Sequence, residues 1–269
     1  MQGICRNCNH PKALRRSHAI PNSFFKPLAR GGSGQFVELS DGPSKARASQ
    51  ESGQDYLLCS KCEGIFSEQF DKPIAEEVRR LRAAFSNRLT EIESDVERIK
   101  SGIASIVWRA SISNARLFKS FKIPSGSYSD VVSEMRIDRR EERRFSYSMR
   151  PIYDPTLKED GGFDTAALEN FIVTPKPWGI AHGYGGRRKE GWGAILLMGG
   201  VVVTMHQPRL SPYKERQRFY LPTNRLKSPV RPTDMWSVPH LREFLAFVVH
   251  KEKSNTNPTD ISPPRPRSR

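Results

Sequence analysis

The chain holds four cysteines, and they fall in two pairs of identical spacing, Cys5-x-x-Cys8 and Cys59-x-x-Cys62. Each pair brings two sulfurs within reach of one ion, and four thiolates satisfy the tetrahedral preference of Zn²⁺ with no position left open. Such a site ties the first ten residues to the segment around residue 60, which restricts the N-terminal fold more than any other feature. A closed site cannot itself activate water, because catalytic zinc keeps a coordination position free. Any catalysis is therefore expected elsewhere. His10 is a spare candidate ligand beside Cys8, but with four cysteines present it reads as solvated.

The N-terminus has no charged segment leading into an apolar run, so a cytoplasmic chain with reduced thiols is expected, where paired cysteines favour metal over disulfide. No apolar stretch reaches the ~20 residues that span a bilayer. The longest, from Gly193 to Met205, is broken by Gly199-Gly200 and reads as two strands or one bent one.

Along the chain the pattern changes three times. Residues 1–72 contain the cysteines and a polar insert, Gly31 to Asp55, that reads as a mobile loop. From Pro73, apolar residues at Ile74, Val78, Leu81, Phe85, Leu89, Ile92, Val96 and Ile99 recur at helical spacing, interrupted at Gly102. A second helix follows with Ile103, Ile106, Val107, Ala110, Phe118 and Phe121, carrying Trp108 as a core aromatic, and a third is expected from Ser129 to about Glu142. Residues 73–144 thus form a helical region. Residues 145–252 are short runs rich in β-branched and aromatic residues, separated by Gly or Pro, closed by a helix from Val238 to Lys251. The Pro-rich end, 253–269, is expected to be disordered. The fold class is α+β, with an antiparallel β-rich C-terminal domain.

The net charge is +15. Between Lys176 and Arg231 eleven Lys and Arg face only Glu190 and Glu215, a net +9. A polyanion suits this surface, since neutralising phosphates releases counterions; solubility and docking on an acidic protein are the other uses of such charge. Arg187, Arg188 and Lys189, flanked by Tyr184 and Trp192, offer the mixture of charge and stacking used on nucleic-acid backbones. The glycines around His182 lack the strand-GxxxxGK[ST]-helix order of a phosphate loop.

Taken in order, Cys5-x-x-Cys8, Ser17-His18-Ala19-Ile20-Pro21 and Leu57-Leu58-Cys59-Ser60-Lys61-Cys62-Glu63 resemble the zinc-stabilised ββα-metal (HNH, or treble-clef) nucleases. The likeness is to the branch typified by a phage Holliday-junction endonuclease. Those proteins carry Cys-x-x-Cys, an Asp-His dyad and a second Cys-x-x-Cys followed by Asn. Their structural zinc holds a β-hairpin against a helix, and the dyad with the post-cysteine residue forms a second, Mg²⁺-type site. The later Ser105-Ile106-Val107-Trp108-Arg109-Ala110-Ser111 is similar to a block in a bacterial group of HNH-like proteins.

The resemblance implies that His18 is the general base, that Glu63 is a ligand at the family's asparagine, and that Ser17 stands where the dyad has its aspartate. A carboxylate at Glu63 then keeps the charge total while its location moves. Of the acidic residues that follow, Glu68 lies about 140° around an ideal helix from Glu63 and Asp71 only about 80°, so Asp71 is the better second ligand. Arg15 and Arg16 are placed to neutralise phosphate oxygens. The expected function is a DNA endonuclease using Mg²⁺ or Mn²⁺, in defence against phage or other mobile DNA, with a protein partner in a defence complex. The alternative is a non-catalytic zinc-stabilised module that binds nucleic acid or protein.

Overall fold

The computed structural model describes residues 1–26, 36–39, 46–49, 51–93, 95–136, 144–156, 162–169, 171–184, 187–217, 221 and 227–238. In chain order it begins β1 (Gln2–Ile4), β2 (Pro11–His18), β3 (Phe36–Leu39), β4 (Ala46–Ser49), β5 (Gln54–Cys59) and α1 (Ser60–Phe66). Then come α2 (Lys72–Ser86), β6 (Glu91–Glu93), α3 (Val96–Ile112), α4 (Ser125–Glu134), β7 (Ser146–Tyr153) and α5 (Thr165–Glu169). The remainder is β8 (Phe171–Tyr184), β9 (Arg187–Met198), β10 (Val201–Gln207), α6 (Pro212–Gln217), β11 (Lys227–Pro229) and β12 (Thr233–Asp234). The chain is α+β, its sheets mainly antiparallel, with helices in the middle. The expected closing helix from Val238 and the tail lie beyond the described residues, apart from Val238 itself.

At the N-terminus β1, β2 and β5 form an antiparallel sheet in the order β1-β2-β5. Arg15 faces Leu58 but Arg16 faces Tyr56, so Leu57 is an extra residue in β5. This bulge lets Leu57 and Leu58 both enter the core although they are consecutive. The polar insert is not all loop: β3 and β4 pair as a hairpin, and β3 runs parallel to β8 at the edge of the large sheet. The short "FVEL" run of β3 is masked in the sequence by the Gly and Ser around it.

The expected long helix ends earlier than its periodicity suggests. Asn87 caps α2, and Arg88 adopts the left-handed φ of 56°. The amide of Leu89 reaches back to the Ala84 carbonyl and that of Arg88 to Phe85, the pattern of a left-handed helix stop. Asp95 then caps α3 by accepting the Arg98 amide at 3.2 Å. Gly102, expected to interrupt the helix, lies within α3; a Cβ there would meet the Phe70 carbonyl at 3.1 Å and Ile74 Cβ at 3.2 Å. Its smallness serves close packing, not termination.

The seven-stranded sheet has the order β12-β7-β10-β9-β8-β3-β4. Gly199 and Gly200, with φ of 55° and 69°, make the two-residue turn between β9 and β10, so the longest apolar run is two strands. Ala194, Leu196 and Met198 of β9 enter the main core while Ile195 and Leu197 enter a smaller cluster with Ile152 and Met235. Burial on both faces explains why this strand is continuously apolar. The main core is one cluster running from Cys5 through Phe66, Ile103 and Trp108 to Val203. No described helix is long and apolar enough to cross a membrane.

Candidate functional site

The Sγ atoms of Cys5, Cys8, Cys59 and Cys62 all lie within 4.8 Å of one another. Four sulfurs at ~2.3 Å from one Zn²⁺ stand about 3.8 Å apart at the corners of a tetrahedron, so the donor set fits a structural zinc. A tight turn between β1 and β2 shapes the first pair: Cys5 N–H donates to the His10 carbonyl, Asn9 N–H donates to the Cys5 carbonyl, and Asn9 takes a φ of 56°. The second pair straddles the start of α1. Burial alone raises the Cys5 thiol, but the amides of Cys8, Cys59 and Asn7 converge on it and carry it down to about 6. Burial pushes Cys62 up to about 12, against the opposing Asn7 side chain, whose Nδ2 donates to its sulfur at 3.3 Å. His10 is exposed and lies outside the cluster.

Next to this knuckle, the end of β2, the segment from Pro21 to Lys26, α1, the turn that follows it and the start of α2 line a cleft of about 590 Å³, with His18, Glu63 and Asp71 among its residues. His18 ends β2 opposite Gln54. Its Nε2 lies 2.8 Å from Gln54 Nε2 and 3.0 Å from Ser52 Oγ. With both as donors, Nε2 accepts and the ring proton sits on Nδ1. Turning the Gln54 amide end for end reverses this: its oxygen accepts from Nε2–H and the basic lone pair moves to Nδ1. Burial, then the Arg109 charge, lowers the imidazole to about 4, with Asp71 opposing, so the ring is neutral near pH 7.

Glu63 follows Cys62 in the first turn of α1. Ser17, wholly buried, donates its hydroxyl to Glu63 Oε2 at 2.5 Å. Burial raises the Glu63 carboxyl above its usual range, opposed by the Ser17 bond and by Arg109 and Arg15. Between α1 and α2 lies one π-type turn, Ser67–Asp71. Asp71, at its end, is held by Arg109 through both carboxylate oxygens. Glu68, in the same turn, is exposed and pairs with Lys72.

The structure therefore gathers His18, Glu63 and Asp71 on one cleft, with Lys26 and Arg79 also lining it. Arg15 and Arg16 are exposed on β2, where Arg16 depresses the proton affinity of His18. Arg187, Arg188 and Lys189 open β9, paired with Tyr184, Gly183 and His182 of β8. Three contributors have no counterpart in the sequence reading: Ser52 and Gln54, in or beside the expected loop, and Arg109. The signal for Arg109 was a lone charge inside the apolar "IASIVWRASI". Trp108 is a core aromatic as expected, with Nε1 donating to the Tyr128 hydroxyl at 3.0 Å.

For a hard divalent cation the donor set is thinner than for zinc. Among the described residues the four cysteines are the one group of three or more metal-ligating side chains so closely gathered. Mg²⁺ keeps several waters and needs only one or two carboxylates, which Glu63 begins to supply, while Asp71 is committed to Arg109. Comparisons with protein-family models, curated proteins and solved structures find no match to this chain.

Proposed function

We propose that the chain is a metal-dependent DNA endonuclease of the ββα-metal (treble-clef) type, with His18 as general base. The observation that carries this reading is the convergence of a neutral, half-buried His18 with Glu63 and Asp71 on one cleft, beside a hairpin and helix pinned by four cysteines. The likeness in motif order adds that the two positions where the chain departs from the family pattern, Ser17 and Glu63, are bonded to each other.

The chemistry is phosphodiester hydrolysis. His18 takes a proton from the attacking water on Nδ1, the ring nitrogen with a free lone pair when the Gln54 amide oxygen accepts from Nε2–H; with the amide turned the other way, the Nε2 lone pair is already engaged by Gln54 and Ser52. A proton affinity near 4 secures the neutral form, and a phosphate entering the cleft brings negative charge that raises it toward neutrality, where a base works best. Arg15 and Arg16, beside the base, meet phosphate oxygens. Arg187, Arg188 and Lys189, which open β9, add basic residues that a polyanion would use. A divalent cation held by Glu63 would supply a polarised water and stabilise the leaving oxygen. Action against foreign DNA, alone or with a protein partner, is the biological setting that the resemblance suggests.

Incubating the full chain with supercoiled plasmid and Mg²⁺ or Mn²⁺, beside His18→Ala, tests this. Cleavage that falls about 10²- to 10⁴-fold in the variant is expected; cleavage at the wild-type rate removes His18 from the mechanism. The second reading, a non-catalytic zinc module that binds nucleic acid or protein, is favoured by the engagement of two of the cleft's carboxylates, Glu63 by Ser17 and Asp71 by Arg109. It predicts no cutting, with DNA affinity that falls steeply as salt rises.

A further inference from the structure

Arg109 does not line the cleft. Its side chain is fully buried in the last turn of α3, yet the hydrogen bonds of its guanidinium go to the surroundings of His18 or to its own helix. Nη1 donates to the His18 carbonyl at 2.7 Å and to Asp71 Oδ2 at 3.2 Å, while Nη2 holds Asp71 Oδ1. Nε donates to the Ser105 carbonyl at 3.4 Å, and the guanidinium carbon lies 5.5 Å from the Phe66 ring centre. A planar five-donor fork met on several sides is a stiff object, because any rotation leaves a desolvated charge without a partner.

The position of this fork matters. The β2–β5 ladder has two ends: Leu14 faces Cys59 at the cysteine cluster, and His18 faces Gln54 at the other. The cysteines fix the first end and the first turn of α1. At the second end β2 stops, and the His18 carbonyl turns to Arg109. Glu63 stands just after the cysteine mount, and Asp71, at the end of the π turn, is fixed by Arg109.

We propose that Arg109 is a positioning residue for the cleft, a clamp on α3 that holds the end of β2 and the π turn at one spacing. The zinc-type hairpin then does not make the site alone. For its kinetic consequence this rests on the endonuclease reading; the clamp itself rests on geometry.

The test uses the full chain with zinc bound. R109K keeps the charge, but one ammonium cannot serve the carbonyl and both carboxylate oxygens together. R109M/D71N removes both charges, so no buried ion is left alone. Each is assayed for kcat and KM on plasmid, and for the His18 Cε1–H resonance, assigned by its disappearance in H18Q. The expected result is a kcat lowered by about 10- to 100-fold with KM within about threefold. The His18 resonance moves or broadens while those of the other histidines stay. Wild-type kcat in both variants, or an unmoved His18 resonance, overturns the clamp. If the wild-type chain cuts no DNA, the endonuclease reading falls, and the His18 resonance in R109K, where the charge is kept, alone decides: moved or broadened supports the clamp, unmoved overturns it.

Discussion

On the proposed endonuclease reading, Ser17 and Glu63 exchange the charged and neutral places of the aspartate and asparagine in the family this chain resembles. A carboxylate at Ser17 would be wholly buried, whereas Glu63 is half-buried and faces the cleft. The short Ser17 bond steadies the ionised form of Glu63 against burial, which otherwise favours the protonated acid. S17D sets a second carboxylate against the first, and two desolvated like charges in contact are expected to cost about 3 kcal/mol or more. S17D/E63N restores a single charge and an amide donor, and most of that stability is expected to return. Urea unfolding of the two variants measures the difference. A double variant no more stable than S17D means that the two positions are not coupled and that the exchange has another cause.

At the scale of elements, what the sequence discloses depends on how local the cause is. The Gly199-Gly200 turn and the buried Trp108 each follow from a few adjacent residues, and the structure has both. The cysteine cluster joins two distant segments but is legible because each repeats one spacing, and Pro73 lies in the first turn of α2, although the backbone before it is already helical. The helix stop at Asn87 is also local, but Leu89 and Ile92 continue the apolar spacing across it; Leu89 is in fact exposed. Periodicity extends a helix where capping ends it. Less legible are features whose cause is distant in sequence. Arg109 meets His18 and Asp71 only after folding, and Arg82, on α2, donates to the carbonyls of Ile152, Gly200 and Thr165 while pairing with Glu169. Nothing near Arg82 announces those partners. Gly200 is one of them, and a Cβ there would lie 2.9 Å from Arg82 Cζ in a backbone of φ 69°. Gly200→Ala is therefore expected to destabilise by about 1–3 kcal/mol, from the strain at positive φ and from displacing a pinned guanidinium. In a chain of this length that lowers Tm by roughly 3–10 °C. An unchanged Tm shows that Arg82 moves aside at little cost.

For the whole molecule, the apolar cluster that begins at Cys5 is the same one that contains Ile103, Tyr147 and Val203. The cysteine site thus sits at the margin of a large shared core instead of being the sole source of order, as it is in a finger that unfolds without metal. The two mounts of the cleft differ in the same sense: the cysteine cluster would depend on a metal that a chelator removes, the other mount on a buried ion pair that it does not touch. Stripping zinc should leave α3 and the seven-stranded sheet folded while releasing β1, the start of β2 and the first turn of α1. Hydrogen exchange is the direct measurement. With a chelator that removes one zinc per chain, amides of residues 1–14 and 57–63 are expected to lose protection, while those of 103–110 and 194–205 keep theirs, and Tm falls by about 10 °C or more. Loss of protection across all four segments would mean that the metal organises the entire core. Protection unchanged in the first two would mean that the hairpin holds without the ion, leaving the cysteines a role other than structural zinc.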